Sequence, residues 1–234
     1  MEKLIQFFFP RRCSFCGKVG DDPCDECKKF IKFIQGKTCE KCGIPIGDFV
    51  YSLCPSCQRE SFSFEKVLPV FYYEGVVRKG VHLFKYRGFY QNALTFSNLM
   101  ADKIKNSSVQ IDIVIPVPIS YERYLKRGYN HSYLLAKNIS KALKIPLLDA
   151  LKRTQSTKPF YNLSKEERKK EIKDKIALKN GYENSVNGKT ILLIDDIYTT
   201  GATADECSKV LLRSGAKKVY VAVLAITRPS REFK

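Results

Sequence analysis

The sequence predicts an α/β protein: a parallel sheet flanked by helices on both faces, preceded by a small cysteine-rich module. Three observations carry this expectation. Eight of the nine cysteines fall within the first 60 of 234 residues. From about residue 61, short apolar runs alternate with stretches of helical periodicity, the pattern of a sheet covered on both faces. One run, residues 190–195, reads TILLID and has the continuous apolar character of a strand in the middle of a parallel sheet. The expected division is residues 1–60 for the module and 61–234 for the larger domain.

The module comes first. Its cysteines form four C-x-x-C pairs: Cys13/Cys16, Cys24/Cys27, Cys39/Cys42 and Cys54/Cys57. Two thiolates separated by two residues grip one metal from a tight knuckle, and Gly17 and Gly43 follow two of the pairs where the turn needs them. Four thiolates close a tetrahedral structural zinc site, so eight make two zinc ions per chain. Spacing alone leaves the pairing open among consecutive, alternating and nested schemes. The consecutive scheme is the expected one, because it makes two ribbon-like units with similar short loops. All eight ligands are then used in closed sites, which leaves no open position for a catalytic zinc.

A disulfide framework is not expected. The opening residues 1–13, MEKLIQFFFPRRC, hold one short apolar cluster closed by Pro10, Arg11 and Arg12, with no small-residue cleavage site, so no export signal is expected. That cluster is expected to pack locally, with a weak membrane or partner anchor as the alternative. Cys207 stands alone on an expected helix and reads as a buried packing residue.

The larger domain follows in order. Residues 66–74, KVLPVFYYE, are rich in β-branched and aromatic side chains and predict a strand. Residues 76–88 place Val77, Val81 and Phe84 on one helical face. A second helix is expected over 90–105. Residues 111–118, IDIVIPVP, predict a short strand stopped by two prolines. Residues 132–145 predict an amphipathic helix and 190–195 the buried strand. A helix closed by glycine is expected over 203–216, and a final strand over 218–226. No run approaches the roughly 20 apolar residues that span a bilayer.

Residues 191–203, ILLIDDIYTTGAT, hold the chemistry. In a parallel sheet the ligand sits beyond the carboxyl ends of the strands. Asp195 and Asp196 come at the strand's end, and Thr199, Thr200, Gly201, Ala202 and Thr203 lead into a helix. Small residues let backbone N–H groups face one anion, and the helix N-terminus adds a favourable field. A phosphate suits that loop, and the paired carboxylates suit the vicinal hydroxyls of a ribose. The loop is not a Walker A motif, because no Lys follows the glycine.

Charge agrees with an anionic ligand. The formal net charge is +17. Residues 1–60 hold 10 basic and 8 acidic side chains, and residues 61–234 hold 31 and 16. Each zinc with four thiolates carries −2, so two sites turn the module's +2 into about −2. The basic excess therefore lies in the larger domain, and it favours phosphorylated metabolites, nucleic acid or an anionic membrane face.

The 191–203 motif resembles the phosphoribosyl-pyrophosphate (PRPP) loop of type I phosphoribosyltransferases. With four cysteine pairs ahead of it, the chain resembles the ComF family. Residues 10–17, 84–88, 115–120, 123–132 and 163–168 (PRRCSFCG, FKYRG, IPVPIS, RYLKRGYNHS and LSKEER) resemble family segments in the same order. The resemblance covers nearly the whole chain. It implies a type I phosphoribosyltransferase-like sheet behind a double zinc ribbon.

By that resemblance Asp195 and Asp196 hold the ribose hydroxyls and form the catalytic pair, and Thr199 to Thr203 hold the 5′-phosphate. Val117, Pro118 and Ile119 form the pyrophosphate loop, where this fold often needs an unusual peptide geometry, and Arg123, Lys126 and Arg127 follow it. Residues 153–178 form a flap over the site; residues 152–179 carry 10 basic and 4 acidic side chains. His131 lies near the pyrophosphate loop and reads as a packing or capping residue rather than a phosphate ligand.

Magnesium would accompany PRPP, and the reaction would displace pyrophosphate onto an acceptor the sequence does not name. The alternative is a non-catalytic PRPP- or nucleic-acid-binding factor. The family further implies a role in natural competence, single-stranded DNA as a partner, docking of a ComFA-like competence helicase, and a cytoplasmic chain with peripheral association at the inner membrane. Two positions depart from related flaps: Phe160 stands where Gln is common, and Glu171 where Asn is common.

Overall fold

The computed structural model describes residues 10–47, 50–156 and 163–228. The opening apolar cluster and Phe160 lie outside these residues. Within the cysteine module two short helices follow ligand cysteines, α1 (Asp25–Phe30) after Cys24 and α2 (Pro55–Arg59) after Cys54. The main sheet has four parallel strands: β1 (Val67–Tyr72), β2 (Ile113–Pro116), β5 (Thr190–Tyr198) and β6 (Lys218–Ile226), in the order β1-β6-β5-β2. β5 and β6 are central, and their stretches 191–194 and 221–226 are wholly apolar and buried, as burial on both faces requires.

Helices α3 (Gly75–Tyr86), α4 (Asn92–Lys105) and α6 (His131–Leu143) cover one face. The expected α3 stripe forms, with Val77, Val81 and Phe84 all buried. The other face is covered by α9 (Ala202–Arg213) and by the second cysteine ribbon. A charged helix, α7 (Lys165–Ile172), packs beside α9 and lies between β3 (Leu151–Arg153) and β4 (Ile176–Leu178). These two strands pair antiparallel in a separate small sheet. Short helices α5 (Tyr121–Arg127) and α8 (Glu183–Val186) complete the described elements.

Two sequence expectations need correction. Asp195 and Asp196 do not end their strand; β5 continues through Tyr198 because β6 keeps supplying partners, Val223 to Asp195 and Ile226 to Tyr198. The loop at Val117, Pro118 and Ile119 contains no cis peptide; among the described residues the single cis bond is Asp22–Pro23.

The module is built into the sheet rather than appended to it. β1 is an edge strand, and the module supplies its missing partners: Ile34 N donates to Val70 O at 2.9 Å and Val67 N donates to Lys41 O at 2.8 Å. A covered edge is protected from pairing with another chain. Two glycines set how closely the parts approach. A Cβ on Gly43, beside ligand Cys42, would strike Val67 O and the Pro69 ring. A Cβ on Gly80 of α3 would lie 2.6 Å from Ser14 O, beside ligand Cys13. That same carbonyl accepts from buried Asn92 Nδ2 at 2.9 Å.

Candidate functional site: two four-cysteine centres and a cationic cleft

The eight cysteines form two clusters, Cys13/Cys16/Cys24/Cys27 and Cys39/Cys42/Cys54/Cys57, with the sulfurs of each within 4.8 Å of one another. This is the consecutive pairing. A Zn–S bond of about 2.3 Å at the tetrahedral angle places sulfurs about 3.8 Å apart. Cys16 and Cys24 Sγ are 3.7 Å apart, as are Cys42 and Cys54 Sγ. Backbone N–H groups of Cys24 and Cys54 donate to Cys13 and Cys39 Sγ, the kind of outer contact that steadies a thiolate. The arrangement fits two structural zinc ions. Cys207 is fully buried on α9, and burial pushes its thiol above the usual range, so it is a packing residue.

At the carboxyl end of the sheet lies a cleft of about 630 Å³. Its lining brings together all of Val117, Pro118, Ile119, Arg123, Lys126, Arg127, Asp195, Asp196 and residues 199–203. Lys85, Arg153 and Arg168 also line it, so six basic side chains face three acidic ones, the third being Glu122.

Each wall follows from local structure. Gly201 has φ +80° and caps α9; a Cβ there would collide with the Tyr198 ring and hydroxyl, so the tight turn into the helix requires glycine. The first turn of α9 then points its N–H groups toward residues 199–203, a ready anion site. The loop at 117–119 is tied on two sides, since Asn130 Nδ2 donates to Val117 O at 3.1 Å and Arg153 Nε donates to Pro118 O at 3.0 Å. Asn130 also caps α6 by accepting from Ser132 N. Ser132 Oγ in turn donates to Asp195 Oδ1 at 3.0 Å, so one helix N-terminus sets both the loop and a carboxylate.

The two aspartates differ electrostatically. Burial and the neighbouring Asp196 charge push Asp195 up to about 6. Burial also raises Asp196, but Lys85 reverses the effect and holds it below the usual carboxylate range; Lys85 Nζ lies 2.7 Å from Asp196 Oδ2. His131 lines the cleft but is buried against Phe84 and Tyr129, and burial pushes it down to about 4.

The sequence reading missed Lys85, Ser132, Arg153 and Arg168 as site residues. Lys85 lay within the FKYRG segment, one residue beyond the buried Phe84 of α3, but nothing local marks it as an aspartate partner. Glu171 pairs with Lys175 at 2.9 Å and is not among the residues that line the cleft.

The core around the second four-cysteine centre extends to the wall of the cleft. Tyr198 is buried in the same core as Cys39, Cys42, Cys54 and Cys57, packs edge-on against Phe64, and its hydroxyl lies beneath Gly201. Tyr198 thus belongs both to the core around these cysteines and to the turn at residues 199–203.

Comparison with known proteins agrees with this layout. A family model described as a double zinc ribbon domain matches residues 4–58, and one described as a phosphoribosyl transferase domain matches residues 130–234. The chain is 30% identical to competence protein ComFC of Bacillus subtilis (strain 168), over 87% of this chain and 83% of that protein. It is 28% identical to competence protein F of Haemophilus influenzae, over 93% and 98%. It is also 28% identical to the DNA utilization protein YhgH of Escherichia coli (strain K12), over 81% and 84%.

Proposed function

We propose, from the premise that the chain belongs to the ComF family of competence proteins, that its cleft binds PRPP together with magnesium. The observation that carries this reading is the meeting in one cleft of Asp195, Asp196 and a glycine-turned helix N-terminus at residues 199–203. In this reading the α9 N-terminus and the Thr199, Thr200 and Thr203 hydroxyls hold the 5′-phosphate. Asp195 and Asp196 accept hydrogen bonds from the ribose hydroxyls. The 117–119 loop with Arg123, Lys126 and Arg127 faces the pyrophosphate.

Magnesium prefers carboxylate, phosphate and water oxygens, and a cleft pairing carboxylates with room for a pyrophosphate offers that donor set. When bound, the ion would offset charge on the leaving pyrophosphate. The chain's own contribution is fixed charge: the cationic wall stabilises negative charge as the C1–O bond lengthens, and the aspartates orient the ribose. The reaction class is transfer of a phosphoribosyl group with loss of pyrophosphate. Titration calorimetry with Mg–PRPP tests the binding step, and pyrophosphate release tests turnover; heat of binding without release would make the chain a PRPP-binding factor.

A second reading concerns single-stranded DNA. It is favoured by α5, which has no buried residue and exposes Tyr121, Tyr124 and Leu125 beside the basic residues of the cleft. Stacking platforms interleaved with cations suit unpaired strands of any sequence. The competence and DNA-utilization names of its relatives agree with it. Fluorescence anisotropy of labelled single strands over a salt series tests this; binding that weakens steeply with salt supports it, and no binding at low salt removes it.

A further inference from the structure

Helix α7 should not hold its place by hydrophobic packing. Its sequence, KEERKKEI, buries one residue, Ile172, at its last position. A capping box of Ser164 and Glu167 starts it well, yet a charged helix of eight residues is marginal without an apolar stripe. Its position rests on ties at its ends. At the far end, Ile172 is buried and Asp174 N donates to Glu206 Oε1 of α9 at 2.9 Å.

At the near end the partner is Glu60 of the cysteine module. Glu60 caps α2, three residues after ligand Cys57, and its side chain is 22% exposed. Its carboxylate contacts Lys165 Nζ and, at 2.7 Å, Lys169 Nζ. Lys165 and Lys169 are one turn apart on the same face of α7. Arg168 lies on the turn between them, half-buried, with Nε donating to Leu163 O at 3.0 Å, and it lines the cleft that holds Asp195 and Asp196.

We propose that Glu60 is a positioning residue: it anchors α7 to the second cysteine ribbon, and so presents Arg168 to the ligand's phosphate groups. The inference rests on the PRPP reading for the ligand but on the Glu60–Lys165–Lys169 geometry for the anchor. It gives the second ribbon a part in ligand binding. Its metal sets α2, α2 sets Glu60, and Glu60 sets the flap helix. The carboxylate acts through two lysines and does not itself face the cleft's ligand groups.

The test uses the full-length chain and a charge swap. Glu60→Lys places a cation against two others, and the triple variant Glu60→Lys/Lys165→Glu/Lys169→Glu restores opposite charges with the signs exchanged. Hydrogen exchange of the amides of 165–172 reads the anchor, and calorimetry with Mg–PRPP reads the site. The single variant should keep two zinc ions, speed exchange in 165–172 by about tenfold, and weaken PRPP by about fivefold. The triple variant should regain both, whereas Lys165→Glu/Lys169→Glu alone should not. Unchanged exchange in Glu60→Lys, or no recovery in the triple variant, overturns the anchor. Normal PRPP affinity in a variant whose α7 exchanges fast overturns its link to the site. A wild type that gives no heat with PRPP removes the PRPP reading and Arg168's task with it, while the exchange result still decides the anchor.

Discussion

Asp195 and Asp196 are neighbours in one strand, yet their surroundings drive their proton affinities apart. Burial and a like charge raise Asp195 to about 6, while Lys85 keeps Asp196 ionised. The raised value has a definite sign: protonation of Asp195 is favoured by folding, so its contribution to stability is present at low pH and lost as pH rises through about 6. In the PRPP reading ligand binding runs the opposite way, because an ionised carboxylate accepts from a ribose hydroxyl more strongly than a neutral carboxyl does. PRPP itself titrates nearby, so the informative quantity is the affinity ratio of wild type to Asp195→Asn. That ratio should be largest above pH 7 and collapse toward one below about pH 5, and a ratio constant across this range contradicts the assignment.

Lys85 holds the other half of this pair in place. Removing it as Lys85→Met leaves Asp196 buried without its ion-pair partner, with an expected loss of about 3 kcal/mol read by denaturant melts. Adding Asp196→Asn should recover most of that loss, and an additive double variant would show that the pair is not coupled. Gly201→Ala drives a methyl into Tyr198 and strains a φ of +80°, so it should reduce PRPP affinity by more than tenfold while leaving zinc content at two, checked by calorimetry and metal analysis.

At the scale of elements, the two ribbons do unequal work. The first docks on α3 and α4 through Ser14 and Asn92, away from the cleft. The second completes the edge of β1 and shares a core with Tyr198, whose hydroxyl lies beneath Gly201. Cys42→Ser should therefore do two things: lower zinc toward one ion per chain, and weaken PRPP binding. Cys16→Ser should lower zinc equally with a smaller effect on PRPP, and equal effects of the two variants would contradict the asymmetry.

Legibility also varied by element. Four evenly built cysteine pairs, the apolar run 190–195 and the nine-residue strand 218–226 declare themselves, because ligand spacing and apolar length are local properties. β3 and β4 are three residues each, too short to show a period of two, and their pairing joins Leu151 to Leu178 across the flap. The partnership of Lys85 with Asp196 spans 111 positions in sequence and leaves no local mark. Even the carboxylate strand was read short, since its last three residues, Asp196–Ile197–Tyr198, owe their extended form to pairing with β6.

Across the whole molecule, the cysteine module and the larger domain share their interiors. Cys13 and Cys27 pack in one core with α3, α4 and α6, and the second cluster packs in the other with α9 and Tyr198. The sheet is the layer between them, and its carboxyl end carries the cleft. The charge asymmetry visible in the composition has a structural counterpart, since six of the nine charged side chains lining the cleft are basic. Among the described residues no helix is long and apolar enough to cross a membrane. What composition could not show is how closely the cysteine module docks on the larger domain: that depends on Gly43, Gly80 and Glu60 meeting partners distant in sequence.

In the proposed reading this cleft holds Mg–PRPP between a ribose-binding carboxylate pair and a phosphate loop. The most direct measurement is titration calorimetry of the zinc-loaded chain with Mg–PRPP, run on the wild type and on the Asp195→Asn/Asp196→Asn variant. One-to-one saturable binding by the wild type, with the variant weaker by at least about a hundredfold, is the predicted result. No heat in the wild type, or equal affinity in the variant, would contradict it.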